Sequence, residues 1–156
     1  MKATTKKLWL LTALFMITSG FAFAQELYFN GWTLWGPERG LSATINRNSV
    51  TFTGNVSGTA GYVNEDLNPA MRNRVVRLEI KNADKSTFYD GQMVKITVNK
   101  SDSTVYPTNI MNLINGYIPE YETVVEFELP SDFDGKLGFV FYQATLRGLE
   151  ISATYR

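Results

Sequence analysis

The chain of 156 residues contains no cysteine and no histidine. Without cysteine there is no disulfide framework, no thiol nucleophile and no thiolate metal site. Without histidine the commonest general base, zinc ligand and neutral-pH switch are all missing. Charge is sparse and balanced, with 15 basic and 15 acidic residues and no basic run. Such a surface is poorly suited to nucleic acid or to anionic lipid. Apart from the first residues, no apolar stretch is long enough to cross a bilayer as a helix. No window repeats with a clean helical period, and there is no internal repeat.

The amino terminus reads as a leader rather than as fold. Lys2, Lys6 and Lys7 precede an apolar stretch, "LWLLTALFMITSGFAFA", that ends in Ala22-Phe23-Ala24 before Gln25. A positive start, an apolar centre and a small-x-small end are the pattern of a cleaved secretory signal. Residues 1–24 are therefore expected to be removed, and 25–156 to form one domain that is secreted or periplasmic. With no cysteine at the cut, a lipid anchor is not expected. The leader takes three lysines and no acid, so the remainder is acidic by three charges.

Beyond the leader, period-two alternation dominates. Val76, Leu78 and Ile80 alternate with Arg77, Glu79 and Lys81; Val94, Ile96 and Val98 alternate with Lys95, Thr97 and Asn99. Val125, Phe127 and Leu129 alternate with Val124, Glu126 and Glu128. "KLGFVFYQ" sets Leu137, Phe139 and Phe141 against Val140 and Tyr142, and "GLEISATYR" closes the chain in the same rhythm. Between the runs lie segments dense in Asp, Asn, Ser, Gly and Pro, including "QATLRG". Half-buried antiparallel strands separated by turns give an all-β fold. The architecture expected is a two-sheet antiparallel β-sandwich of jelly-roll type, with seven or eight strands. "NPAMRNR" and "TNIMNLINGY" are the places where a helical turn could sit.

Catalysis has little material. Glu126 and Glu128 share a strand face at about 7 Å, and Glu65 adjoins Asp66, but acids on a solvated sheet face are ordinary. The chain is read as non-enzymatic. No cofactor is expected. "SDFDG" (131–135) has the composition of a calcium loop without its ligand spacing and is read as a turn.

Aromatic residues carry the functional signal. "NGWTLWGPERG" places Trp32 and Trp35 three residues apart among glycines and a proline. Trp32 is expected in the core. Trp35, in a turn-like setting, is the better platform for a ligand. Tyr62, Tyr89, Tyr106, Tyr117 and Tyr121 are read as loop tyrosines, and Tyr142 points away from Phe139 and Phe141 next to the amide of Gln143. A flat apolar ring with a polar rim suits both sugar faces and protein interfaces.

"YETVVEFELPSDFDGKLGFVFYQATLRGLEISATYR" (121–156) resembles the end of a carbohydrate-binding-module jelly roll of the type grouped in families 4, 9 and 22. Those modules close with an alternating strand, a "P-x-D-x-D-G" turn, a strand of "L-x-F-x-F-G-Q" type and a last alternating strand. "VVRLEIKNA", "MVKITVN" and "GWTLWG" are similar to other parts of that fold. The family's opening "N-x-F-E" is absent here, and Glu150 and Ser152 stand where it closes with two aspartates. The resemblance implies a jelly roll whose cleft holds Tyr142 and Gln143. Two readings follow. One is a non-catalytic module that binds a polysaccharide or glycan through Trp35, Tyr142 and Gln143, supported by Tyr117 and Tyr121. The other is an extracytoplasmic sandwich that pairs with an envelope or surface protein.

Overall fold

Twelve strands in two antiparallel sheets make up the fold in the computed structural model, which describes residues 23–65, 67, 69–99, 103–110 and 116–156. The leader reading thus lies almost wholly outside the described residues, as does the centre of "TNIMNLINGY". The first strand, β1 (Gln25–Glu26), begins at the residue expected to follow the cut.

The seven-stranded sheet is ordered β10 (Val124–Glu128), β6 (Val75–Lys81), β12 (Ala144–Tyr155), β4 (Ser49–Asn55) and β3 (Ser42–Asn46), with β1 and β7 (Thr87–Phe88) also paired to β12. The five-stranded sheet is ordered β2 (Thr33–Trp35), β5 (Thr59–Asn64), β11 (Leu137–Tyr142), β8 (Gln92–Val98) and β9 (Tyr117–Pro119). From β4 to β6, and again from β9 to β12, each successive strand crosses to the other sheet. That is the jelly-roll habit, in which hairpin neighbours in sequence lie across the core from one another.

The alternation explains the layers. Val76, Leu78, Ile80, Val125, Phe127 and Ile151 from the first sheet are buried against Val94, Ile96, Leu137, Phe139 and Phe141 from the second. An aromatic group fills one part of this interior. Trp32 stacks on Tyr62 (5.6 Å between ring centroids) and on Phe139 (5.3 Å), with Phe29 edge-on at 5.1 Å. Trp32 is therefore core, as its apolar flanks indicate. Its Nε1–H finds no hydrogen-bond acceptor in the interior. Leaving such a donor unpaired costs about 1–3 kcal/mol, which ring stacking and burial of the indole offset.

Three sequence expectations need correction. Only Gln143 of "QATLRG" breaks the strands: Ala144 to Gly148 belong to β12, which is 12 residues long. Ala144 and Leu146 face the core on even positions, whereas Leu149, Ile151 and Ala153 face it on odd ones. A bulge between Arg147 and Leu149 absorbs the change of phase, and Gly148 supplies the positive φ it needs. Asn82 Nδ2 donates to the Gly148 carbonyl at 3.0 Å and holds the bulge. Second, Tyr62 and Tyr117 are not loop residues. Tyr62 lies in β5, buried, and its hydroxyl donates to the Phe29 carbonyl at 3.4 Å. Tyr117 opens the edge strand β9, opposite Lys95. Third, the strands exceed the expected seven or eight, because β1, β2, β7 and β9 are too short to show alternation and β5 is interrupted by Gly61. "NPAMRNR" does hold a helical turn, a single 3-10 turn at Pro69–Met71.

Two substitutions test this packing. Phe139→Ala empties the centre of the aromatic group and is expected to cost about 3–5 kcal/mol, read as a lower urea midpoint. Gly54→Ala should also destabilise, because Gly54 has φ 119° and an added Cβ would collide with the Gly40 carbonyl oxygen. An unchanged midpoint in either variant contradicts the arrangement.

Candidate functional site

The register of the five-stranded sheet aligns one row of side chains across all five strands. Trp35 lies opposite Gly61, Gly61 opposite Val140, Val140 opposite Lys95, and Lys95 opposite Tyr117. Residues opposed across strands share a face. Their neighbours Leu34, Ala60, Phe139 and Ile118 turn inward, so this row turns outward. A parallel row holds Thr33, Val63, Gly138 and Thr97. Trp35, Val140, Lys95 and Tyr117 from the first row and Val63, Gly138 and Thr97 from the second line an open groove of about 950 Å³, together with Glu65, Asn99 and Lys136. Strands spaced about 4.8 Å apart put the backbones of Trp35 and Tyr117 roughly 19 Å from each other. The groove is thus rimmed by an aromatic residue on each edge strand.

Glycine shapes the floor at two points, for reasons of space. A Cβ on Gly61 would lie 3.5 Å from Trp35 Cε3 and 3.0 Å from the Phe139 carbonyl oxygen. The indole of Trp35 therefore leans over Gly61, the cross-strand contact that a bare glycine invites. A Cβ on Gly138 would come within 2.8 Å of Thr97 Oγ1 and 2.9 Å of Val63 Cγ1, so these side chains cover its backbone. On its other side, Trp35 meets the Arg39 guanidinium 5.8 Å from the ring centroid. Arg39 Nη1 donates to the Thr59 carbonyl at 2.7 Å and is itself held. Trp35 remains 47% exposed. It sits at the end of β2 rather than in a turn, which fixes the ring without burying it.

The expected site residues separate on this surface. Trp35 and Tyr117 line the groove. Tyr142 is on the same face one step further along β11, opposite Thr59, and meets Tyr89 edge-to-face at 5.5 Å. Burial raises the Tyr117 phenol above its ordinary value of 10.0, and the nearby Tyr142 phenol pushes the same way. Gln143 turns the chain between β11 and β12 at φ 42°, its backbone N–H donating to the Gly58 carbonyl at 2.8 Å. Its side chain is exposed outside the groove lining. Tyr121, 76% exposed in the turn after β9, is also outside it. That turn is tied to the Tyr89 turn by Glu120 N–H donating to the Gly91 carbonyl at 3.0 Å.

The acids lie elsewhere or are engaged in turns. Glu126 is on the outer face of the other sheet, 3.7 Å from both Arg77 and Arg156. In "SDFDG", Asp134 Oδ1 accepts from the Lys136 N–H at 3.1 Å, and Asn99 Oδ1 accepts from the Asp134 N–H at 2.9 Å. Those bonds make a turn. Among the described residues no three or more acids gather to hold a metal.

Sequence reasoning passed over Lys95, Gly61, Val63, Gly138 and Val140. For the residues of β5 and β11, though not for Lys95, a signal was present. Beside Val75 and Val124, the outward positions of β6 and β10 are Arg77, Glu79, Lys81, Glu126 and Glu128, whereas those of β5 and β11 are Thr59, Gly61, Val63, Gly138, Val140 and Tyr142, with no charge. The chain matches no protein-family model and no curated protein.

A raised phenol value favours the protonated form in the folded state. Tyr62, raised by burial, and Tyr117 therefore contribute stability that is complete below pH 10 and lost as pH rises through their folded values. Alkaline absorbance titration should show two of the eight tyrosines ionising last. Tyr117→Phe should remove one of them; if it removes an early one, the Tyr117–Tyr142 arrangement is wrong.

Proposed function

We propose that the protein is a non-catalytic carbohydrate-binding sandwich that acts outside the cytoplasm and takes a glycan chain across its five-stranded sheet. The observation that carries this reading is the outward row Trp35, Gly61, Val140, Lys95 and Tyr117, with Tyr142 beside it. A pyranose ring offers a C–H face and a hydroxyl edge. The faces of Trp35 and Tyr117 suit the former, and Thr97, Asn99 and the tyrosine hydroxyls suit the latter. Spaced aromatics over a level floor fit a chain that repeats its rings better than a single small ligand. A protein-docking surface would instead show a contiguous apolar patch; here Gly61, Val140 and the charged Lys95 lie between the two aromatics, with Thr97 and Asn99 alongside.

The expected result is saturable binding to at least one soluble polysaccharide in affinity electrophoresis or calorimetry. Trp35→Ala and Tyr117→Ala should each weaken it about tenfold or more, equal to roughly 1.4 kcal/mol. Glu79→Gln, on the opposite sheet, should leave it unchanged. Equal binding by folded Trp35→Ala and wild type would remove the groove from the site.

A further inference from the structure

Lys95 stands out in the groove. It is half-buried in the row, with Val140 on one side and Tyr117 on the other. Its place sets it apart: among the described residues it is in no ion pair, and the residues directly opposite it on β11 and β9 are Val140 and Tyr117 rather than acids. The groove lining also includes the lysine Lys136 and the acid Glu65. Lys95 is thus a cation with no acid across either neighbouring strand, set beside an apolar and an aromatic group.

A glycan lying between Trp35 and Tyr117 must pass over Lys95. It would then strip water from the ammonium, a cost that a neutral chain meets only with hydroxyls. A chain with a negative group at that point returns a full counter-charge through a charge-assisted bond in a partly dry setting. We propose that the groove selects an acidic polysaccharide, with the carboxylate of a uronic acid residue seated on Lys95 while that ring or its neighbour stacks on Tyr117. This rests on the glycan reading above and narrows it to a substrate class. A carboxylate fits better than a sulfate ester. It is borne directly on a ring carbon, so it reaches the ammonium while its ring stays against the aromatic face. A sulfate ester carries the same single charge but projects further from the ring through its bridging oxygen.

The test is calorimetric titration of the purified protein with oligogalacturonate and oligoalginate, their methyl esters, a sulfated oligosaccharide, and neutral xylo- and cello-oligosaccharides. Methyl esterification leaves the chain intact and removes only the charge. The expected result is that one acidic oligosaccharide binds about tenfold or more tighter than its own ester, with the advantage shrinking as salt is raised. Lys95→Gln should bring acid and ester to the same affinity, and Lys95→Arg should retain the preference. Thermal unfolding of both variants separates loss of binding from loss of fold, and the salt series on wild type stands if Lys95→Gln does not fold. Equal affinity for acid and ester, with binding still lost in Trp35→Ala, overturns the acidic preference and keeps the glycan site. Preference for the sulfated chain overturns the carboxylate. A folded protein that binds none of the sugars overturns this inference and the function it rests on.

Discussion

Phe139 faces the core because β11 is held in register from both sides, opposite Tyr62 on β5 and Ile96 on β8. The same pairing fixes what faces water: Gly138, Val140 and Tyr142 outward, Leu137, Phe139 and Phe141 inward. Strand side chains alternate with a period of two, so a one-residue slip would exchange the two sets. It would bury Tyr142 and expose two phenylalanines. The large buried aromatics make that slip costly, by roughly 1.5–3 kcal/mol for each apolar side chain exposed. Core and groove are thus two faces of one constraint. Trp32 stacked on Phe139 holds the inside, and Val140, the next residue along the backbone, holds the middle of the outside row.

The two sheets treat their outer faces differently. The seven-stranded sheet carries Arg77, Glu79, Lys81, Glu126 and Glu150 in loose ion pairs at 3.4 to 4.0 Å. Exposed pairs of this kind contribute about 0–1 kcal/mol and chiefly keep the surface solvated. The five-stranded sheet has glycine, valine and threonine there, rimmed by Trp35 and Tyr117. Neither pattern is required by the core, since both sheets bury equally apolar inner faces. On the proposed function, the contrast comes from what each outer face meets.

Much of the fold was legible because alternation is a strong signal wherever the outer face is charged. β6, β10 and the second half of β12 read plainly for that reason. β5 did not: "TAGYVN" puts Gly61 and Val63 where a solvated strand would put Lys or Glu, and the run looks like a loop. The signal failed at a strand of the candidate site, because its outward positions hold glycine and valine rather than charge. Trp35 and Tyr142 could be chosen from their neighbours alone, Trp35 by its flanking Gly36 and Pro37, Tyr142 by its phase against Phe141. Gln143 was chosen as the neighbour of Tyr142 and from the family resemblance, and Tyr121 as a loop tyrosine; a tight turn and an exposed corner keep both outside the groove lining. Lys95 could not be chosen, because its place between Val140 and Tyr117 depends on strand order, which alternation does not encode.

The central claim is that ligand meets the protein on the outer face of the five-stranded sheet. Heteronuclear NMR titration with acidic and neutral oligosaccharides reads that face residue by residue. The account predicts shift changes concentrated on Trp35, Gly61, Lys95, Tyr117, Gly138 and Val140, including the Trp35 indole N–H, with the Trp32 indole and the charged strands silent. Shifts confined to Arg77, Glu79 and Glu126, or none with any sugar, would contradict it.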